Sequence, residues 1–126
     1  MREWRSLWIE LGTEMAFFVV LEGAVALLWR HNGVLLAVSA IICVVGLARW
    51  HARLDICFLL VIGVLGSLAE IVFVQFGGWR YANPTWIGIP VWFPFAFGTT
   101  GLIGGRLART LNAIWDKVSP AAPEES

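Results

Sequence analysis

The stretch ICFLLVIGVLGSLAEIVFVQF, residues 56–76, has one acidic or basic residue, Glu70, in 21 positions. A helix of about 20 mainly apolar residues, at a rise of 1.5 Å per residue, crosses the roughly 30 Å hydrocarbon core of a bilayer. The stretch therefore predicts a transmembrane helix, and we place Asp55 at its N-cap, where a carboxylate can accept free backbone N–H groups.

Three further apolar segments, at residues 7–29, 33–48 and 86–105, predict three more spans. The fold class we expect is all-α: a polytopic membrane protein with a four-transmembrane-helix bundle. Leu107, Leu111 and Trp115 recur at helical spacing among polar residues after the fourth span, which is typical of a short amphipathic helix on the membrane surface. Residues 1–118 then form one transmembrane domain, and residues 119–126 a disordered tail.

The composition supports this class. Hydrophobic residues make up 59% of the 126 residues and the mean hydropathy is +0.76, whereas about half of a globular domain is apolar. A soluble chain of this size could not bury so much apolar surface. The net charge is zero and the basic residues are scattered, so a nucleic-acid partner is not expected.

The positive charges predict an orientation. Four spans place seven of the nine basic residues on one side, with Arg30 and Arg80 opposite. Because cytoplasmic ends carry the excess of arginine and lysine, both termini are expected in the cytoplasm of a multi-pass protein of the cell (inner) membrane. Cys43 and Cys57 lie in apolar segments without metal-ligand spacing, so both are expected to be buried small hydrophobic residues.

Three carboxyls, Glu14, Glu22 and Glu70, fall inside the predicted spans. Each costs about 2.5–3.5 kcal/mol at the centre of a membrane helix even on lenient scales, which makes it a functional candidate. Glu22 and Glu70 come out at similar depth in the outer half, and both are candidate catalytic residues. Glu70 shares a helix face with Gly63 and Gly66, which predicts that it points into the bundle. The alternatives are a structural strut and an ion-pathway residue.

The segment FGGWRYANPTWIGIPVWFPFAFG, residues 76–98, is dense in aromatic, glycine and proline residues. Pro90 and Pro94 remove two helical hydrogen bonds, so the outer end of the fourth span is expected to be kinked or unwound. Unwound backbone at membrane depth is tolerated only where protein covers it or where it lines a water-filled cavity. We therefore predict a ligand pocket above Glu70, and the alternative is an aromatic belt without a ligand. Its predicted lining is Trp79, Tyr81, Asn83, Trp86, Trp92 and Phe93.

Some of these residues form a family-like pattern. Glu70, the segment GGWRY at residues 77–81 and the cluster of Gly88, Pro90 and Trp92 resemble a pattern in the membrane carotenoid-biosynthesis family, which includes hydratases of carotenoid ends. The stretch through Arg106 is also similar to the Insig sterol-sensor family, whose members bind lipids between helices. The resemblance covers about residues 66–107 and implies an amphipathic or isoprenoid-like lipid ligand.

No histidine pair at one depth, phosphate-binding glycine loop or catalytic triad appears in the sequence, so no cofactor or metal is expected. The first hypothesis is a pocket that binds, or as an enzyme modifies, a membrane lipid or isoprenoid-like small molecule around Glu70. Two alternatives stay open. One is a homo-oligomeric proton-coupled transporter or channel that uses the three carboxyls as a relay. The other is an accessory subunit of a larger membrane complex, packed through glycine faces.

Overall fold

The computed structural model describes residues 3–85 and 87–119, which contain four helices and no strand. The helices are α1 (Trp4–Leu28), α2 (Asn32–Arg49), α3 (Arg53–Gln75) and α4 (Phe93–Val118). The all-α prediction with four main helices is confirmed, and the first three agree with the predicted spans to within three residues at each end. The predicted tail, from residue 120 onward, lies outside the described residues.

Helices α1, α2 and α3 are each long and apolar enough to cross a membrane. Their outer faces carry large apolar side chains that a soluble protein would bury, among them Leu27 at 82% and Val44 at 65% exposure. Cys43 is buried as predicted, but Cys57 is exposed on α3, so that part of the prediction is wrong. Its neighbours on this outer face are apolar as well, and a thiol is tolerated there.

The fourth helix differs from the prediction at both ends. It begins at Phe93, seven residues after the predicted start, and it continues without a break to Val118. The separate surface helix is therefore wrong, because Leu107 and Thr110 face the bundle and hold this part of the chain in α4. Glycines, threonines and two arginines lower the hydropathy of α4. It is not among the helices that are apolar enough to span a membrane.

Helix α4 lies at the centre of the bundle. It packs against α3, α1 and α2, and α1 also packs against α2. Eight residues of α4 are buried, against three or four in each other helix. The least apolar helix is thus surrounded by the three most apolar ones, which is the arrangement that shields its polar groups.

The contact between α3 and α4 is made by glycines. A Cβ atom on Gly98 would lie 3.0 Å from the carbonyl oxygen of Leu59 and 3.3 Å from Cα of Gly63. A Cβ atom on Gly101 or Gly105 would collide with α3 side chains. These α4 glycines therefore pack closely on α3, whereas at Gly104 a Cβ atom would meet nothing within 4 Å.

The segment before α4 is not helical over residues 87–92, which confirms that the Pro90 region is unwound. Pro94 lies in the first turn of α4, where its missing N–H has no helical acceptor to lose. Gly88 has a φ of 83°, and a Cβ atom there would lie 2.5 Å from a methyl group of Val74. A side chain at this position would therefore push the loop away from α3.

Candidate functional site

Glu70 is half-buried near the end of α3, and the hydroxyl of Tyr81 donates a hydrogen bond to its carboxylate. Burial raises the pKa of Tyr81 well above its usual value, and the bond to Glu70 raises it further. The pair joins α3 to the loop that leads into α4. It is the one contact that places a predicted site carboxyl beside a predicted lining residue.

A second set of hydrogen bonds ties the same loop to the start of α2. The amide nitrogen of Asn32 donates to the carbonyl oxygen of Asn83 at 2.9 Å, and its amide oxygen accepts from the indole of Trp92 at 3.1 Å. Asn83 in turn donates to the carbonyl oxygen of Trp29 at 3.0 Å. The polar atoms of Asn83 and Trp92 are therefore engaged in holding the loop. Asn32, the centre of this network, carried no signal in the sequence beyond its place in a turn.

A cavity of about 270 Å³ lies beside this loop. Three predicted residues line it, namely Tyr81, Asn83 and Trp92, with Val25, Ala26, Trp29, Ala82 and Pro90 completing the wall. The other wall is thus supplied by α1, which the sequence did not indicate. Glu70 is not part of the lining.

The remaining predicted residues lie elsewhere. Trp79 is 47% exposed and packs against the ring of Phe73, with ring centroids 4.9 Å apart. Phe93 is buried between Tyr81 and Phe97 in the α3–α4 interface region. Trp86 lies outside the described residues.

Glu22 is exposed on α1. Since α1 packs mainly against α4 and α2, the structure does not bring Glu22 to Glu70, although their depths are similar. Of the two candidate catalytic carboxyls, Glu70 is the one that contacts a predicted lining residue, Tyr81.

A larger opening than the cavity beside the loop is an apolar cleft of about 580 Å³ between α2 and α3. Its walls include Ala40, Val44 and Leu47 from α2, Leu60, Val64 and Leu68 from α3, and Ile89, Pro94 and Phe95 at the loop end. Among the described residues, no charged one lines it, and the one hydroxyl, on Ser67, donates to the carbonyl oxygen of Gly63 at 2.6 Å. A volume of this size is in the range of small-molecule pockets, roughly 300–1,000 Å³.

At the opposite end of the bundle, Asp55 is fully buried and binds two arginines of α4. Arg106 forms a two-point contact with the carboxylate, at 2.8 and 2.5 Å, and Arg109 adds a third hydrogen bond at 2.5 Å. The sequence predicted Asp55 as the N-cap of α3, and this prediction is wrong. Asp55 lies in the first turn of α3 and accepts the N–H of the N-cap residue Ala52 at 2.9 Å.

Helices α1 and α2 contribute further charges at this level. Glu10 pairs with Arg49 at 2.5 Å and also accepts the indole N–H of Trp50 at 3.3 Å. Glu14 is fully buried, and the hydroxyl of Thr110 donates to it at 2.8 Å. We call these residues, with Asp55, Arg106 and Arg109, the charged layer. It balances three carboxylates against three guanidinium groups, and every helix contributes to it.

Sequence reasoning missed the charged layer as a unit. The arginines counted there only as orientation signals. A signal was present, because Arg106 and Arg109 follow a glycine-rich helix face at a spacing of three, which places both on one side of α4.

The chain matches no protein-family model, and it is not significantly similar to a curated protein or to a solved structure. The site must therefore be interpreted from its own geometry.

Proposed function

We propose that this chain is a multi-pass membrane protein that binds the apolar chain of a lipid or isoprenoid-like molecule in the cleft between α2 and α3. The observation that carries the proposal is the cleft itself, with about 580 Å³ of space and no charged lining residue. It opens sideways between two helices of membrane-spanning length. An occupant that arrives from this side is at acyl-chain depth, so it must be apolar.

The topology belongs to the proposal. α1, α2 and α3 face lipid, α4 crosses inside their shield, and both termini lie in the cytoplasm of a cell (inner) membrane. The charge asymmetry along the sequence supports this orientation. The charged layer then lies at the cytoplasmic end, and the loop with Tyr81 at the outer end.

The Glu70–Tyr81 pair does not line the cleft, but it lies near one end of it along the chain. Ile71 lines the cleft and is adjacent to Glu70 in α3, while Ile89 and Pro94 come from the segment next to the loop. A ligand with a hydroxyl at one end of an apolar chain fits this layout, because the pair can accept and donate a hydrogen bond. This agrees with the ligand class that the family resemblance implies.

A proton relay has less support. Glu14 belongs to the charged layer with Asp55, and Asp55 lies 15 residues before Glu70, which is about 22 Å along α3. Glu22 is exposed on α1 and does not bridge that distance. The geometry therefore favours binding over transport along these carboxyls.

The test is ligand retention, measured by native mass spectrometry of the full chain purified in a mild detergent. We expect a bound apolar molecule in the parent protein and its loss in Val64→Trp, since Val64 lines the cleft. Val61→Trp is the matched control, because Val61 lies three residues away and is similarly exposed, at 50% against 54%, but outside the cleft.

Retention that is unchanged in Val64→Trp, or lost equally in Val61→Trp, would contradict the cleft assignment. A second variant addresses the polar end. Glu70→Gln should keep the fold and retain a hydrocarbon chain, but it should weaken retention of a hydroxyl-ended polyprenyl chain relative to the matching hydrocarbon.

A further inference from the structure

A third pocket, of about 250 Å³, lies at the charged end of the bundle, outside the α2–α3 cleft. Its lining is Glu3, Arg5, Ser6, Ile9, Glu10 and Arg49. Two cations, two anions and a hydroxyl thus surround one small space. The apolar cleft shares no lining residue with it.

The depth of this pocket is set by α2. That helix has 18 residues, or about 27 Å at 1.5 Å per residue, which is close to the hydrocarbon thickness of a bilayer. Arg49 is its last residue and Arg5 lies in the first turn of α1. In the proposed topology both guanidinium groups therefore lie at the level of the inner-leaflet headgroups.

The charges remain available to a ligand. Arg49 is about half-exposed although it pairs with Glu10, and Arg5 and Glu3 are exposed. Guanidinium groups bind phosphate through paired N–H donors. A carboxylate has about four acceptor positions, so Glu10 can accept another donor besides Arg49 and Trp50.

We propose that this pocket binds the headgroup of an aminophospholipid. Arg5 and Arg49 hold the phosphate, and Glu3 and Glu10 accept hydrogen bonds from the primary ammonium. Ile9, which is 54% exposed beside them, contacts the start of the acyl chains. A choline headgroup carries the same charges but has no N–H donor, so it loses the contacts to the carboxylates. This inference rests on the proposed membrane topology, but not on the cleft.

The test titrates the purified full chain with phosphatidylethanolamine, phosphatidylcholine and phosphatidylglycerol of identical acyl chains. Bound copies are counted by native mass spectrometry. We expect phosphatidylethanolamine to bind about tenfold more tightly than phosphatidylcholine, the effect of losing a charge-assisted hydrogen bond. Glu3→Gln should reduce this preference without weakening phosphatidylcholine, and Arg5→Gln should weaken all three lipids. Arg53→Gln is the control, an exposed arginine at the same end but outside the pocket.

Equal binding of the three lipids, or an equal effect of Arg53→Gln and Arg5→Gln, would overturn the headgroup site. Water-soluble glycerophosphoethanolamine at the same concentration as the lipid should bind more weakly, because it lacks the acyl chains that contact Ile9. Equally tight binding of the two would overturn the assignment as a lipid site. The apolar occupant of the cleft is read in the same spectra. If the parent protein shows no headgroup selectivity, while the apolar occupant is retained both in the parent and in Arg5→Gln, the headgroup site is wrong and the cleft stands.

Discussion

A Cβ atom on Gly63 would lie 3.2 Å from Cα of Gly98, so the backbones of α3 and α4 touch at this crossing. An alanine at residue 98 would place its methyl group 3.0 Å from the backbone carbonyl oxygen of Leu59, which cannot rotate away. We expect Gly98→Ala to lower the free energy of unfolding by about 1–3 kcal/mol, as for other overpacked sites. Unfolding of the purified protein in mixed detergent micelles measures this change.

Gly104→Ala is the matched control on the same helix, because a Cβ atom there meets nothing within 4 Å. Alanine is favoured over glycine in a helix, so this variant should be as stable as the parent or more so. Equal destabilisation by both variants would show that α4 does not pack on α3 through Gly98.

The hydroxyl of Tyr81 can be followed directly, since the chain has one tyrosine. Its pKa is raised by burial and by the bond to Glu70, so the near-ultraviolet absorbance of tyrosinate should develop above the usual pH of about 10. Because the folded-state pKa exceeds the unfolded one, the stabilising contribution is complete below pH about 10 and is lost as the pH rises further.

Glu70→Gln should move the Tyr81 titration back toward the usual range, but not fully, because burial remains. Glu22→Gln, a carboxyl exposed on α1, should leave it unchanged. A Tyr81 titration at its ordinary pH in the folded parent protein would mean that the hydroxyl is open to water and not bound to Glu70.

Removal of the charge on Asp55 tests the charged layer. Asp55→Asn leaves Arg106 and Arg109, which are 25% and 35% exposed, without their buried partner, and the loss of a hydrogen bond to a charged group costs about 1.5–3 kcal/mol. We expect a large loss of unfolding free energy. Asp116→Asn, an exposed acid near the end of α4, should have little effect. A stable Asp55→Asn variant would show that water solvates Arg106 and Arg109 as well as Asp55 does.

The proposed topology is tested by cysteine labelling in intact cells. In a background with Cys43→Ala and Cys57→Ala, a cysteine introduced by Ala82→Cys should react with a membrane-impermeant maleimide. A cysteine introduced by Ser119→Cys should react only after lysis. The opposite pattern would reverse the orientation.

Much of this fold follows from local sequence patterns. Apolar runs set the bounds of α1, α2 and α3, because membrane-length helices need only composition and length. The face of α3 that carries Gly63 and Gly66 predicted a close helix contact for the same kind of reason. Pro90 predicted an unwound segment, since its ring removes a backbone donor.

The rest depends on which helices meet. The run of Leu107, Leu111 and Trp115 has the spacing of a surface helix, and only contact with α1 shows that it continues α4. Nor does any local pattern place Asp55 beside Arg106, 51 residues away. The α2–α3 cleft exists because α4 separates those two helices, which is a property of the assembled bundle.

The central position of α4 has a consequence for synthesis in the cell. It follows the other three described helices in the chain, and at about 5–20 residues per second the ribosome needs roughly 5–20 s to make the chain from the end of α1 to the end of α4. During that time Asp55 and the glycine face of α3 lack the α4 residues that they contact in the complete bundle. A chain that stalls before Phe93 therefore exposes a buried acid and a bare backbone surface. Synthesis of α4 therefore provides the contacts that bury Asp55 and cover the glycine face of α3.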